Sequence, residues 1–544
     1  MSRERNLFRE NPSVERYLLE YLSLGSEFVE PPRVKLSLIT RVLPEEEDIN
    51  SRDIAISAAL QCYAPGVAKM VLRPEERFQQ IAESTLEAGH HTTRMHAHYT
   101  FRIEGVSRSV VHDILHFSPF YNTSQQSQRY VEAKEGNYLI PTKLTEKQRQ
   151  IYLESAATAN ENYFRLLELL RPEVDRRLRL MYPERGWKTA KTAERLESKA
   201  QKLCQEIARY VLPVAQKTNL FYTLNELQLL RLFRASQMSN YSREAKYLVA
   251  SMISDLAKVD KGIIQDLREP WTEVVEQNFD ETYIREQKEE FDAWLGGRQS
   301  RLLSFSENTR EELAKAVRNV LGIPKRYLSD SEALKRLMDP AKNPLLADVF
   351  EAGIIDPLTS CLREVPIRFA TKLSHTADSQ RQRQRQTSAA TPPIEAMYDR
   401  RADFMTPLII RENEELNETY KKMIGMNYTN VARCLEAGIP KELALLLLPN
   451  AHTLRVVERG DLFDWLHRLK DRLCYLAQEE IFFISVEQAE QIIQVLPGAR
   501  EMILAKCGAR QSSRMSPRCP EGERWCGQKV FNLEIEDYKR GRLI

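Results

Sequence analysis

The 544-residue sequence has no apolar run of about 18 residues, so no membrane-spanning helix is expected. It also has almost no net charge, because 79 lysines and arginines stand against 77 aspartates and glutamates. This balance argues against a general polyanion-binding protein, although local basic patches are compatible with it. The first residues, MSRERNLFRENPSVERYLLEYL, include acids and no apolar segment of the signal-peptide type, so no secretory signal is expected.

Cysteine is scarce, with eight residues scattered along the chain. This distribution predicts reduced thiols in a cytoplasmic protein. Cys507, Cys519 and Cys526 lie near the C-terminus, but their spacing differs from the tight Cys-x2-Cys pairs of zinc sites, and no fourth ligand is evident. We therefore predict a structural or free-thiol tail and no metal site, with a metal site as the alternative.

The chain is too long for one hydrophobic core, and 42% of its residues are apolar, so we expect at least two globular domains. RVKLSLIT (33–40) predicts a strand and RDIAISAALQCYA (52–64) a helix, and residues 96–115 change from strand to helix spacing after Gly105. After the charged segment 259–300 the order restarts, with a strand and helix predicted over 301–322 and a strand over 364–373. The repeated order predicts an internal duplication.

Two polar segments are candidates for chemistry. In SQQSQRY, Ser127 and Arg129 are spaced so that a hydroxyl and a guanidinium can bind one phosphate, while the alternative is a solvated loop. ADSQRQRQRQTS in the second half is either a solvated basic run that contacts RNA or a second anion-binding segment. Four histidines lie between residues 90 and 98, but they lack the partners of a common zinc motif and favour structural or cofactor contacts.

The run GHHTTRMHAHYTFRIEGVSRSVVHDIL…SQQSQRY resembles the flavin-dependent thymidylate synthases, the ThyX family. ARYVLP (208–213) is similar to that family's A-R-x-x-L-P segment, and TLNELQLL to its N-x-R segment. In the second half, ADSQRQRQRQTS is similar to the family's Q-x-x-R-H-R-x-x-S, and the closing helices contain L-R-x-x-x-x-A-Q-x-E-I. The resemblance implies an α+β fold of two tandem domains, 1–290 (core about 33–258) and 291–544. Each domain is expected to have a small, mainly antiparallel sheet with long helices.

Each half departs from the family pattern in a different place. The first half has His116-Phe117-Ser118 where R-H-R is expected, Met95 for a glutamate and Leu227 for an arginine. The second half has AATPPIE in place of S-x-R-Y, and Leu445 for the arginine of A-R-x-x-L-P. In this family, sites form between subunits of a homotetramer. The complementary losses therefore predict one composite site, to which each half contributes the motifs that it retains.

The resemblance implies specific roles for residues of that composite site. Arg472 is the expected catalytic residue, acting on the uracil ring. The residues expected to bind the substrate are Ser127, Gln128, Arg129, Arg209, Gln380 and Arg383. The residues expected to bind the cofactor are His90, Thr92, Asn225, Arg383, Gln384 and Arg385.

The implied reaction is methylation of dUMP to dTMP, with FAD as cofactor and NADPH and methylenetetrahydrofolate as co-substrates. We expect a homodimer that forms a pseudo-tetramer, without membrane or nucleic-acid partners. The alternative is a non-catalytic relative that binds nucleotide or flavin and serves regulation or assembly, because Gln384 replaces the histidine of R-H-R. A third alternative is a helical RNA-associated protein that uses the Arg/Gln run.

Overall fold

The computed structural model describes residues 8, 10–40, 50–61, 64–66, 76–117, 121–182, 190–236, 241–270 and 279–544. Within them lie two antiparallel four-stranded sheets, with strand orders β1-β2-β4-β3 and β5-β6-β8-β7. The strands are β1 (Arg33–Ile39), β2 (His98–Ser107), β3 (Asn122–Gln125), β4 (Lys217–Asn225), β5 (Ser300–Phe305), β6 (Pro366–Ser374), β7 (Ser388–Ala390) and β8 (Thr453–Asp461). The two sheets therefore have the same topology in the same chain order.

The strand pairing repeats in detail. The register of β1 against β2 shifts between Leu36 and Leu38, and that of β5 against β6 shifts between Leu302 and Ser304. A bulge at the same place in the first strand of both sheets is a specific feature, because bulges re-aim side chains and are not random irregularities. The α+β fold with two tandem domains is confirmed, and the repeated sheet is the structural form of the predicted duplication.

Helices surround each sheet. The helices of the first half are Pro12–Ser23, Ser51–Gln61, Glu76–Glu87, Arg108–Phe117, Glu146–Met181, Ala190–Ala208, Glu226–Ala235, Arg243–Ala257 and Gly262–Asp266. Those that follow are Glu281–Leu295, Thr309–Leu321, Asp330–Met338, Pro357–Ser360, His375–Arg381, Leu408–Arg411, Glu414–Glu436, Lys441–Leu445, Leu462–Arg472, Glu479–Val495, Lys506–Ser512 and Tyr538–Gly541. None of the helices in the described ranges combines the length and the apolar character that a membrane span requires.

The predicted elements at residues 33–40, 52–64, 96–115, 301–322 and 364–373 are present, with ends that differ by a few residues. The predicted boundary between residues 290 and 291 falls inside the helix Glu281–Leu295. Phe291 and Leu295 of this helix pack against Ala370 of β6, so by its packing the helix belongs to the second sheet.

One apolar core is shared by the two halves. The long helices Glu146–Met181 and Glu414–Glu436 contribute Leu166 and Ile424 to it, and both of these side chains are fully buried. Each sheet also has a core of its own, with Phe101 in the first and Phe369 in the second. Because the shared core draws apolar side chains from both halves, it holds the two halves against each other.

A short backbone ladder also joins the halves, and it is symmetric. Four N–H groups donate across the boundary in two matching pairs: Val214 to Leu448 (2.9 Å), Asn450 to Leu212 (2.8 Å), Ala215 to Leu446 (2.7 Å) and Ala451 to Tyr210 (2.9 Å). Exchanging the halves turns the first bond of each pair into the second. ARYVLP (208–213) and the corresponding ALLLLP (444–449), which end at Pro213 and Pro449, thus meet at a pseudo-twofold axis.

Candidate functional site

Beside this axis, five arginines from both halves converge. Arg108, Arg129 and Arg209 come from the first half, and Arg383 and Arg472 come from the second. Arg108 and Arg209 are buried, with 7% and 2% of their surfaces exposed. A group of like charges taken out of water is unfavourable unless an anion or a strong dipole faces it. The cluster is therefore a candidate anion-binding site.

Arg129 is positioned by a turn that begins at Ser127. The backbone N–H of Arg129 donates to the Ser127 hydroxyl oxygen (3.2 Å), which fixes the two polar groups relative to each other. The guanidinium forms an ion pair with Glu206 and donates from Nη2 to the carbonyl oxygen of Leu476 (2.8 Å). Since Leu476 belongs to the second half, Arg129 itself bridges the two halves.

Arg209 stands at the start of a short 3-10 segment, Arg209–Val211, directly after the helix Ala190–Ala208. Its Nε donates to the carbonyl oxygen of Glu206 (3.1 Å), and its own carbonyl oxygen accepts from Asn450 Nδ2 (3.0 Å). These contacts on both sides leave the guanidinium little freedom. Arg209 is thus held in place by backbone groups of its own half and by a side chain of the other.

Glu480 fixes the adjoining backbone. Its carboxylate accepts from the Ser374 N–H (2.7 Å) and hydroxyl (2.6 Å) and from the Tyr210 hydroxyl (2.6 Å). The Ser374 oxygen in turn caps the helix His375–Arg381 by accepting from the N–H of Ala377 (3.0 Å). Glu480 therefore links the residue after Arg209 to the helix that leads to Arg383.

Arg472 ends the helix Leu462–Arg472, and its Nη2 donates to the carbonyl oxygen of Gln380 (2.9 Å). Gln380 lies in the last turn of the helix His375–Arg381, and Arg383 follows the residue that ends this helix, Gln382. One hydrogen bond thus aligns the ends of the two helices of the second half that present the cluster.

The arginines act on each other electrostatically. Burial, together with the charges of Arg209 and Arg383, lowers the pKa of Arg108 to about 9. Burial and the nearby arginines, opposed by Asp471, lower the pKa of Arg472 to about 10. At these values both groups stay protonated at neutral pH.

Arg383 and Arg129 share this environment. Burial first, and then the charge of Arg129, lower the pKa of Arg383. Burial also opposes the charged form of Arg129, but the Glu206 carboxylate outweighs it and leaves the pKa of Arg129 raised. Among the described residues, Arg129 is the one member of the cluster that forms an ion pair, so the cluster carries a net positive charge.

Several buried donors in the cluster lack a partner. Among the described residues, no hydrogen-bond acceptor faces Arg108 Nε, Arg209 Nη2 or Arg472 Nε. Gln128 is similar, because its Oε1 accepts from Asn450 Nδ2 (3.3 Å) while its Nε2 has no partner. Unpaired buried donors beside a positive cluster fit a bound anion, since each can donate a charge-assisted hydrogen bond to it.

The structure thus brings together the predicted substrate residues Ser127, Gln128, Arg129, Arg209, Gln380 and Arg383, with Arg472 beside them. Arg108 belongs here too, but it was missed as a site residue. It is the arginine of G-V-S-R, inside the motif that carried the resemblance, so the signal was present in the sequence. The Glu480 contacts to Ser374 and Tyr210 join residues far apart in the chain, and no local sequence pattern indicates them.

The pseudo-twofold axis relates this cluster to a second position in the same chain. In the first sheet β3 pairs Asn122 with Thr223, and in the second β7 pairs Ser388 with Arg459. Thr223 lies as far beyond Pro213 as Arg459 lies beyond Pro449, so Asn122 corresponds to Ser388. Arg129 then corresponds to Glu395, which follows Ser388 at the same distance along the chain. By the same symmetry Leu445 stands for Arg209.

The first residues of the helices Arg108–Phe117 and His375–Arg381 also correspond to each other. The N–H of Arg108 donates to the Gln216 carbonyl (3.1 Å), and the N–H of His375 donates to the His452 carbonyl (2.9 Å). Counting on along both helices places His116 where the second half has Arg383; Ser118, at the position of Arg385, lies outside the described residues. The second position has therefore lost at least three of the first position's arginines.

Carboxyl side chains lie at the second position instead. Burial, opposed by His112 and Ser242 and aided by the nearby Glu442 and Glu395, raises the pKa of Asp113 to about 7. Burial also raises the pKa of Glu395. Among the described residues, the arginines Arg129, Arg209 and Arg383 therefore stand at one of the two related positions and have no arginine counterparts at the other.

Known proteins resemble the chain in both halves. A family model described as thymidylate synthase complementing protein matches residues 46–260 and 301–498. The chain belongs to this thymidylate synthase family. A flavin-dependent thymidylate synthase from Clostridium tetani is 30% identical over 214 residues, which are 39% of this chain and 79% of the relative. A second, from Geobacter sulfurreducens, is 28% identical over 220 residues, covering 39% and 80%.

A solved structure, that of the UMP/dUMP methylase PolB from Streptomyces cacaoi bound with 5-Br dUMP, covers 43% of this chain and 94% of its own. Its sequence identity is 16% and its TM-score 0.31, a likeness that adds nothing to the family assignment. The two segments of the family model coincide with the two repeated sheets, so this family member contains a tandem pair of the family's domains.

A flavin, which the names of these thymidylate synthase relatives imply, has a matching environment beside the cluster. A cavity of about 1240 Å³ is lined by Gln384 and Arg385 and by Arg301, Arg368, Arg381 and Arg459. Among the residues that the structure describes, no carboxylate side chain lines it, and apolar side chains such as Leu303 and Val457 complete its wall. Arginines suit a dinucleotide pyrophosphate and apolar groups suit a flavin ring, so the residues present fit the group.

Other predicted cofactor residues lie elsewhere. His90 and Thr92 are exposed at the 3-10 segment His91–Met95, and no described contact joins them to Arg383–Arg385. The Asn225 side chain caps the helix Glu226–Ala235 by accepting from the N–H of Gln228 (3.0 Å). Gln384 donates from Nε2 to Asp471 (3.0 Å), and Arg385 donates to Asn122 (3.1 Å). Within one chain, the structure groups the second-half cofactor residues but not the first-half ones.

Proposed function

We propose that the protein converts dUMP to dTMP at the composite arginine cluster. The observation that carries this proposal is the convergence of arginines from both halves, with unpaired buried donors, beside a cavity suited to a flavin. The relatives named flavin-dependent thymidylate synthases support the reaction class. FAD, NADPH and methylenetetrahydrofolate are part of the proposal, as are a dimer of chains and a cytoplasmic location.

In this proposal the nucleotide phosphate binds the first-half wall. Ser127 supplies a hydroxyl and Arg129 a guanidinium from one turn, while Arg209 and Arg108 supply further charge-assisted donors. Arg129 exchanges part of its contact with Glu206 for the phosphate dianion. Gln128 Nε2, which has no partner among the described residues, is a further donor. The two arginines from the second half then close the site on the pyrimidine side.

Arg472 acts on the uracil ring. Its guanidinium stabilises negative charge on the ring oxygens while C5 becomes nucleophilic, and burial strengthens that interaction. The Gln380 carbonyl holds Arg472 at the angle that this requires. Gln384 and Arg385 would hold the flavin, which supplies the redox chemistry when bound. His90, Thr92 and Asn225 would contact cofactor from a second chain.

The direct test is tritium release from dUMP labelled at C5, with FAD, NADPH and methylenetetrahydrofolate present. Omitting each component in turn should abolish release. A flavin-replete protein that binds dUMP but releases no tritium under any of these conditions would refute the proposed reaction.

One observation favours a second function, a non-catalytic nucleotide-binding role. Gln384 replaces the histidine of R-H-R, cannot carry a charge, and is engaged with Asp471. The two functions predict different flavin contents for the purified protein. A purified protein that stays colourless after incubation with FAD, yet binds dUMP, would favour the non-catalytic role.

A further inference from the structure

Four of the chain's cysteines line one cavity. Cys474, Cys507, Cys519 and Cys526 all border a space of about 770 Å³, which Arg129 and Arg472 of the arginine cluster also line. Cys474 follows the helix Leu462–Arg472, and Cys507 lies in the helix Lys506–Ser512. The last two belong to CPEGERWCG near the C-terminus. The sequence offered three of these thiols without a fourth partner, and the fold supplies the fourth from a segment remote in the chain.

The thiols are close enough to affect one another. Cys474, Cys519 and Cys526 each interact electrostatically with the Cys507 thiol. Cys526 and Cys519 likewise act on the Cys474 thiol. All four are free thiols in the structure. The four sulfurs therefore form one group and not two separate disulfide pairs.

The C-terminal pair is docked firmly against the first half. The Tyr182 hydroxyl donates to the Cys526 carbonyl, and Gln528 Nε2 donates to the Met181 carbonyl (2.9 Å). A Cβ at Gly527, whose φ is +86°, would lie 2.4 Å from the Tyr182 ring, so only glycine allows this close approach. The thiols are thus held by a packed segment and not by a loose tail.

Basic side chains surround the thiols. Lys199 lies close enough to Cys526 for its positive charge to act on that thiol. Arg542, Lys202, Lys506, Arg195 and Arg524 line the same cavity, as do Glu206, Asp471, Glu521 and Glu523. The basic groups outnumber the acidic ones. Thiolates that bind metal carry negative charge, which this wall stabilises.

The spacing of the thiols discriminates between metal centres. A single tetrahedral zinc, with Zn–S bonds of about 2.3 Å, draws its four sulfurs to about 4 Å from one another. Among the described residues, three or more ligand atoms lie within 4.8 Å of one another in one group only, His112, His116 and Asp378. The four thiols are therefore spread more widely around their cavity. Wider spacing suits a cluster in which each thiolate binds a different iron.

We propose that Cys474, Cys507, Cys519 and Cys526 hold a [4Fe–4S] cluster beside the nucleotide site. The cluster's thiolate ligands come from three segments of the second half, and the first half closes the cavity through Tyr182 and Lys199. This proposal does not depend on thymidylate synthesis, since iron and sulfide content can be measured without turnover.

The experiment is anaerobic reconstitution of the full chain with ferrous iron, sulfide and a thiol reductant, followed by desalting. We expect about four iron atoms and about four acid-labile sulfides per chain, with an electron paramagnetic resonance signal after reduction. Analysis of iron and sulfide separates the cluster from flavin, which also absorbs visible light. Less than one iron per chain, or zinc bound in place of iron, would overturn the proposal.

Variants locate the cluster. Cys507→Ser and Cys519→Ser should each lose most of the iron and sulfide, while Cys434→Ser, at a buried cysteine that does not line this cavity, should retain them. Circular dichroism and dUMP binding check that the variants are folded. Equal iron loss in Cys434→Ser, or full retention in folded Cys507→Ser, would contradict the assignment.

Discussion

Pro213 and Pro449 pair with each other in an antiparallel β-bridge at the boundary between the two halves. Each proline ends a Leu-Pro segment of its own domain, and the N–H groups just beyond them donate across the boundary in matching pairs. The two domains thus pair as two subunits related by a twofold axis would, but within one chain. The symmetry of the backbone contrasts with the asymmetry of the side chains around it.

The two walls of the site can be tested one at a time. Arg129→Ala and Arg383→Ala should each weaken dUMP binding by about 10- to 150-fold, the loss of one charge-assisted contact. Calorimetric titration measures this directly. Glu395→Ala is the matched control, because Glu395 holds the position of Arg129 in the other half, and its dUMP affinity should stay unchanged. Normal binding in either arginine variant would separate that residue from the site.

Arg108 should show a conflict between stability and binding. Its buried guanidinium is opposed by burial and by the charges of Arg209 and Arg383. Arg108→Met should therefore raise the melting temperature of the ligand-free protein, while dUMP stabilises the variant less than the wild type. Thermal denaturation with and without dUMP measures both effects. Arg165→Met, at an exposed position on the helix Glu146–Met181, should change neither.

Arg472 should affect turnover more than binding. We expect Arg472→Lys to lower kcat by about 10²-fold, since a lysine keeps the charge but not the fork of the guanidinium. KM for dUMP should change much less. Steady-state tritium release gives both constants. A variant with altered KM and normal kcat would make Arg472 a ground-state binding residue.

Asp113 should make stability depend on pH. Its pKa is about 7 in the folded protein, against about 4 in an unfolded chain. Between these values the folded protein holds the additional proton, so this group's contribution to stability falls as pH rises from about 4 to about 7 and is constant above. Asp113→Asn should gain on the order of 2 kcal/mol over the wild type at pH 8 relative to pH 5.

Thermal melts of the Asp113→Asn variant and the wild type at the two pH values check this expectation. Glu168→Gln, on an exposed part of the helix Glu146–Met181, is the control and should show no such gain. A gain for Asp113→Asn that is the same at pH 5 and pH 8 would mean that Asp113 titrates normally.

The Tyr210 hydroxyl should stabilise the boundary. It donates to Glu480 and accepts from Gln478 Nε2 (2.6 Å), and both partners are buried. Tyr210→Phe leaves Gln478 Nε2 without its acceptor and removes one of the three hydrogen bonds to the Glu480 carboxylate, at a cost of about 1–3 kcal/mol. The melting temperature should fall, whereas Tyr327→Phe, at a side chain with 72% exposure, should leave it unchanged. An unchanged melting temperature for Tyr210→Phe would show that water replaces the hydroxyl.

The sequence predicted those parts of the structure that depend on local pattern. Alternating residues in RVKLSLIT and EVPIRFATKL gave strands β1 and β6, and the motif order gave two domains of one type. Split losses between the halves predicted that Arg129 and Arg383 share a site. The other contacts could not be predicted, because they depend on how segments remote in the sequence pack together. They are the Arg129 bond to Leu476, the Glu480 contacts and the approach of Cys474 to the C-terminal cysteines.

The fusion of two domains has a consequence for how the pocket can change. In a symmetric oligomer of identical subunits, one codon sets the same side chain in every pocket, so a substitution that suits one pocket is imposed on all of them. Here Arg129 and Glu395 occupy related places but are encoded separately. Each of the two places can therefore adapt on its own, and a substitution at Arg129 leaves the place of Glu395 unaltered.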